Sequence, residues 1–236
     1  MTEEIAAFDA YQRSTTAMIR AITEDGVVLD RTVFYPRGGG QPGDTGMLIS
    51  GEGPVPVLDT VKKGGRVIHR IDGGNLTAGM NVEAVIDWDR RHMLMRTHTA
   101  LHALSAVIWR DFDAKVTGGN MEPGSARMDF ELESISMDFG REVAEVLNSE
   151  LARDLQVNVH LLPRDVALAD PDLIRTKVNL LPDFIDPIRV IEIDGLDKQA
   201  DGGTHVRSTA EVGRVLVTKT ESKGKANKRI QIELAG

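Results

Sequence analysis

The sequence predicts an α+β fold in two parts, a β-barrel-like N-terminal domain over residues 1–88 and an α+β domain over residues 89–236. Three observations predict it. Short apolar segments broken by Gly, Pro and Asp recur through the first ninety residues, as in a small barrel or sandwich. Residues 88–110 then contain neither Gly nor Pro and carry Leu94, Leu101, Leu104 and Ile108 on one helical face. Beyond them, strands and helices mix without strict βαβ alternation, which favours an antiparallel sheet over a doubly wound parallel one.

Taken in order, Thr16–Ile22 and Val27–Phe34 flank Glu24-Asp25-Gly26 and read as a hairpin turning at Asp-Gly. A helix over residues 5–22 competes, because Ile5, Ala6, Phe8, Ala17 and Ile19 also stagger. The run Pro36–Gly46 is too rich in Gly and Pro for a helix or central strand. Within it, Gly38–Gly40 permits positive φ and close backbone approach, and Pro42-Gly43 suits a tight turn. Asp44 is expected to brace this loop by accepting from backbone amides. Strands follow at Val55–Val61, Val67–Ile71 and Val82–Asp87, then the helix from Trp88. Arg127–Leu132 alternates as a strand, and Met137–Leu155 reads as a second amphipathic helix. Val157–Leu161, Ile188–Ile193, Val212–Thr218 and Arg229–Leu234 complete the expected sheet. No internal repeat is visible.

Composition narrows the function. With 41% hydrophobic and 27% charged residues, the 236-residue chain has an ordinary globular balance and enough interior for real cores. No apolar run approaches the roughly 18 residues that cross a bilayer, and the acidic N-terminus lacks a signal pattern. The expectation is a cytoplasmic protein with no membrane partner. Without cysteine there is no disulfide framework, so a metal site must use His and carboxylate. The net charge of −8 argues against a chain coated in positive charge, yet phosphate contacts depend on local clusters. Two clusters stand out: Arg90, Arg91 and Arg96 with His92, and the tail Lys219, Lys223, Lys225, Lys228 and Arg229. On charge alone, a solvated surface is the simpler reading of either. At 4% aromatic, the chain offers no obvious platform for stacking bases.

His98 and His102 stand at i and i+4 in the long helix, so their rings leave one face, near the border between core and solvent. Downstream, Asp201-Gly202-Gly203-Thr204-His205 sets a carboxylate and an imidazole around a flexible Gly-Gly pair. Two rigid helix ligands plus two loop ligands can build a tetrahedral metal site. Each half alone is also consistent with polar neighbours or an ordinary turn. Thr99 follows the first His where a metalloprotease carries its Glu base, which disfavours peptide hydrolysis.

Four motifs then occur in order: Phe34-Tyr35-Pro36 leading into Gly38-Gly39-Gly40-Gln41-Pro42-Gly43-Asp44, Arg96-Thr97-His98-Thr99-Ala100-Leu101-His102, Gly202-Gly203-Thr204-His205-Val206, and Lys223-Gly224-Lys225 with Arg229. Together they resemble the editing region of alanyl-tRNA synthetase and its free-standing relatives, the AlaX trans-editing proteins of medium size. The resemblance runs from about residue 10 to the end. It implies a metal-dependent aminoacyl-tRNA deacylase that removes serine, with glycine as a second candidate, from alanine tRNA. No aminoacylation domain is evident, so the expectation is a stand-alone editor without an obligate protein partner.

The resemblance places one Zn²⁺ on His98, His102, Asp201 and His205. Family members frequently carry Cys where Asp201 stands, and the harder carboxylate loosens the preference for zinc over other divalent ions. It further implies that Gln41 contacts the amino acid or the terminal ribose, that Thr117 holds the serine hydroxyl, and that both basic clusters grip the tRNA. Thr117 stands beside Gly118-Gly119, which reads as a turn and gives the threonine a purely structural alternative. His92, beside two arginines, is expected to face RNA, while His69 and His160 read as surface or core fillers. Absent any Ser-His-Asp or Cys-His arrangement, direct attack by water without an acyl-enzyme is expected. The general base is left open among Thr99, Gln41, the tRNA's own hydroxyl and a metal-activated water. The alternatives are a tRNA-binding module with a degraded metal site and a metal hydrolase for a small ester or amide.

Overall fold

The computed structural model describes residues 2–170, 173–175 and 185–235. It forms two compact units, Met1–Leu94 and Met95–Gly236, and is α+β as the sequence predicts. In the first unit the strands are β1 (Glu3–Glu4), β2 (Ser14–Thr23), β3 (Gly26–Leu29), β4 (Arg31–Thr32), β5 (Gly46–Ser50), β6 (Gly53–Lys63), β7 (Arg66–Ile71) and β8 (Asn81–Ile86). Six of them close a barrel in the order β2-β3-β7-β6-β5-β8, so the choice between barrel and sandwich falls to the barrel. The alternation that makes it is plain in β8, where Val82, Ala84 and Ile86 are buried and Asn81 and Glu83 exposed. Their partners inside include Ile19, Leu29, Phe34, Leu48 and Val57.

The helical alternative for residues 5–22 fails apart from one 3-10 turn at Ile5–Ala7. The Thr- and Ile-rich run Ser14–Thr23 suits a strand because β-branched side chains lose little freedom there. Sequence reasoning missed β5, whose opening Gly46 continues the Gly-rich loop. Within Gly38–Gly40 the positive φ angles belong to Gly39 (58°) and Gly40 (83°), not Gly38. The close approach falls at Gly43, where an added Cβ would lie 2.1 Å from the Thr60 carbonyl oxygen.

Helix α1 (Trp88–Phe112) begins in the first unit and continues into the second. The second unit adds β9 (Val116–Glu122), β10 (Ser125–Phe130), α2 (Phe139–Leu151), β11 (Val157–Leu162), α3 (Arg164–Ala169), β12 (Ile188–Ile193), β13 (Asp197–Ala200), β14 (Val215–Gly224) and β15 (Asn227–Leu234). Two antiparallel sheets result, ordered β14-β15-β10-β9 and β11-β12-β13. Helix α2 is shorter than the expected Met137–Leu155. Val212 lies in a 3-10 turn, Thr209–Val212, and not in the strand that follows it. Gly118 and Gly119 do not turn; they pair with Asp129 and Met128, and the hairpin turns at Pro123-Gly124.

The apolar stripe of α1 suggested one buried face. Instead every residue from Thr97 to Ile108 is buried. Ala100, Ala103, Ser105 and Ala106 fill the faces between the leucines, and small side chains let neighbours pack on all sides. This places any polar side chain of that stretch in the interior, where it needs a partner.

Candidate metal centre

His98 and His102 are therefore interior groups, 5% and 7% exposed, and not the border residues the pattern suggested. The backbone after β13 brings Asp201 and His205 to them. Asp201 is fixed locally: its amide donates to the Arg189 carbonyl (3.1 Å), its carbonyl accepts from Arg189 Nη1 (2.9 Å), and Oδ2 accepts from the Gly203 amide (2.5 Å). One donor atom from each of the four residues lies within 4.8 Å of every other. His98 Nε2 is 3.6 Å from Asp201 Oδ1, and His205 Nε2 is 3.2 Å from Oδ2. Tetrahedral ligands about 2.1 Å from an ion are separated by about 3.4 Å, so three imidazoles and a carboxylate at this spacing can hold a divalent cation.

The protonation states favour ligation. Burial pushes the His98 imidazole down to about 4, against the pull of Asp201 and with help from His102 and Arg189. His205 is driven well below its ordinary range, first by burial and then by the neighbouring His98. Asp201 stays a carboxylate: burial alone would raise it, but His98 and the His205 contact hold it well below the ordinary range. Two neutral imidazoles and an anion are what a metal ion needs. His102 moves the other way, since its hydrogen bond to Asp197 and that residue's charge outweigh burial.

Two residues that the sequence reading did not assign to the site, or assigned otherwise, touch these ligands. Asp197 Oδ2 accepts from His102 Nδ1 at 2.9 Å. Thr99 Oγ1 lies 3.1 Å from His205 Nδ1 and accepts from the Val206 amide (3.3 Å). Thr99 thus orients His205, which leaves it poorly placed as a free general base. The available signal for Asp197 was the period of two: residues 197, 199 and 201 share one side of β13 and its extension.

The remaining site residues fare unevenly. Arg91 is a correction. It is 0% exposed, donates from Nε to both Asp44 oxygens (3.0 and 2.9 Å), from Nη1 to Ala10 O and from Nη2 to Val33 O. Each of its three nitrogens donates within the fold and none of it reaches solvent, so it is not a phosphate contact. Asp44 braces the loop as expected, accepting from the Tyr35 amide at 2.6 Å. Lys228 is a second correction: it is buried, with Nζ donating to the Gly224 and Lys225 carbonyls. Arg229 makes a paired contact with Asp129 (2.7 and 2.8 Å), Arg96 donates to Val212 O (2.9 Å), and Arg90 to Gly43 O (2.8 Å).

Lys219, Lys223 and Lys225 are exposed, the first two paired with Glu221. Thr117 is exposed on β9 and donates to Asn227 Oδ1 at 2.9 Å. Gln41 is buried, and its backbone bridges Gly38. His92 stacks on Trp88. His69 is a core residue between Thr32 and the Val27 carbonyl, while His160 pairs with Glu192 at 2.9 Å.

No helix among the described residues is long and apolar enough to cross a membrane. Residues 1–90 match the family of class II (A) tRNA synthetases, and residues 188–231 match the second additional domain of threonyl and alanyl tRNA synthetases. The chain is 39% identical over 234 residues to an alanyl-tRNA editing protein AlaX-M of Saccharolobus solfataricus, covering 98% of each chain. It is 39% identical over 241 residues to an AlaX-M of Methanosarcina barkeri, covering 99% of each. An alanine–tRNA ligase of Pyrobaculum arsenaticum is 36% identical over 230 residues, which cover 93% of this chain and 25% of the ligase.

Proposed function

Because the chain belongs to the AlaX-M family of alanyl-tRNA editing proteins, we propose that it is a trans-editing hydrolase. Its reaction is cleavage of the ester between serine, or glycine, and the terminal adenosine of alanine tRNA. The observation that carries this reading is the buried cluster of His98, His102, Asp201 and His205, whose donor atoms converge within 4.8 Å. These four residues would hold Zn²⁺ or another divalent ion, Asp201 being hard enough to accept several. When bound, such an ion polarises an ester carbonyl or lowers the pKa of water. An aminoacyl ester is already activated, so positioning matters more than a strong nucleophile.

Thr117 is the candidate reader of the serine hydroxyl. Its own proton goes to Asn227, which leaves its oxygen lone pairs to accept from serine. Alanine has no hydroxyl to give, so the discrimination rests on a hydrogen bond and not on size. Lys219, Lys223 and Lys225, all exposed, are the candidates to meet phosphate.

Incubating the protein with seryl-, glycyl- and alanyl-tRNA for alanine, with and without chelator, tests the reading. Rapid release of serine that chelator abolishes is the expected result. Equal turnover of seryl- and alanyl-tRNA would refute editing, and binding without turnover would leave a tRNA-binding module.

A further inference from the structure

Beneath the four candidate ligands lies a second buried carboxylate that the metal reading does not use. The Asp197 side chain is fully buried and accepts from three directions. His102 Nδ1 approaches at 2.9 Å, Arg175 Nη1 at 2.7 Å, and Gln199 Nε2 at 2.9 and 3.1 Å. Gln199 is 3.4 Å from Ser105 Oγ on α1, three residues beyond His102. A carboxylate accepts only, so the proton between Asp197 and His102 sits on Nδ1. His102 is thereby locked in the tautomer whose Nε2 lone pair is free to ligate. Arg175 balances the charge of Asp197, and Gln199 limits its rotation.

We propose that Asp197 is a positioning residue for the metal centre, acting through His102, and that it supplies part of the donor strength which the hard Asp201 ligand lacks. The inference rests on the metal reading above. The physical ground is that a carboxylate hydrogen-bonded to the far nitrogen of a ligating imidazole fixes the ring and raises its basicity. Thr99 does the first for His205 but not the second, because a neutral hydroxyl brings no charge. His102 and His205 are therefore unequal, with His102 the stronger donor.

The test is Co²⁺ and Zn²⁺ titration of the full chain against a chromophoric chelator, with the Co²⁺ absorption spectrum recorded, for the parent, Asp197→Asn, Asp197→Glu and Thr99→Val. Asp197→Asn preserves shape and all four ligands. It should bind one ion per chain with affinity reduced about 10- to 100-fold, and its Co²⁺ bands should shift. Asp197→Glu should recover part of the affinity. Thr99→Val should lose less than Asp197→Asn. Thermal unfolding of the metal-free proteins separates a weakened fold from a weakened site: the affinity loss should persist at temperatures where both are fully folded. Parent-like affinity and spectrum in Asp197→Asn overturn the inference while the metal reading stands. A parent that takes up neither ion overturns both.

Discussion

At the scale of single residues, the proposed metal centre makes retention of an ion depend on the charge and softness of Asp201. Asp201→Cys keeps the negative charge and adds a softer donor, so Zn²⁺ should survive dialysis against a mild chelator at least as well as in the parent. Asp201→Ala removes the only anion among the four, and its zinc content by elemental analysis should fall after the same dialysis. Unchanged retention in Asp201→Ala would remove it from the ligand set. His69 makes a different forecast. Its Nδ1 donates to the Val27 carbonyl and its Nε2 accepts from Thr32, and burial pushes it down to about 4. An unfolded chain protonates this imidazole near its ordinary 6.5, whereas the folded one does not. Stability should therefore fall as pH drops from 6.5 to 4, by about 3 kcal/mol from this group, and the contribution should be flat above 7. Urea unfolding across that range should show a shallower acid slope in His69→Asn, and a parent-like slope would exclude His69 as the cause.

At the scale of elements, the Gly-rich loop and the first turn of α1 are joined by the Arg91–Asp44 pair. Both side chains are almost wholly buried, and the pair is hydrogen-bonded to Ala10 O, Val33 O and the Tyr35 amide. Removing one partner strands a buried charge. Arg91→Ala or Asp44→Ala should each cost about 3–5 kcal/mol by chemical denaturation. Arg91→Ala should lose activity only in proportion to the folded fraction. A stable variant with specifically weakened tRNA binding would return Arg91 to the RNA interface.

At the scale of the whole molecule, binding an anionic polymer with a net charge of −8 requires that a few cations be gathered and left available. Lys219, Lys223 and Lys225 are gathered and exposed, although Glu221 pairs with the first two, whereas Lys228 and Arg229 are engaged by their own sheet. Changing the three exposed lysines to Gln should lower the slope of log affinity against log salt by up to about 3. Glu221 sits between Lys219 and Lys223, and their hydrogen bonds hold its carboxyl down to about 2. Glu221→Gln should free both ammonium groups and tighten tRNA binding, most clearly at low salt. No change in either variant would place the RNA on another face.

The sequence by itself determined those features that depend on local periodicity and residue type. The hairpin, which turns at Glu24-Asp25 one residue before the expected Asp-Gly, the strand Ile188–Ile193, the long helix from Trp88 and the four converging residues His98, His102, Asp201 and His205 were legible because spacing and side-chain chemistry are written along the chain. The tertiary structure alone decided what depends on neighbours distant in sequence. Arg91 and Lys228 read as surface charge, since a stretch of basic residues cannot announce that Asp44 or the Gly224 carbonyl waits beside one of them. Gly118 and Gly119 read as a turn, because glycine's freedom says where the backbone can bend and not where β10 will hold it straight. Asp197 went unassigned because its meaning lies in a 2.9 Å contact across 95 positions of sequence. Local order is a property of short stretches, but burial and pairing of charge arise only when the chain closes on itself.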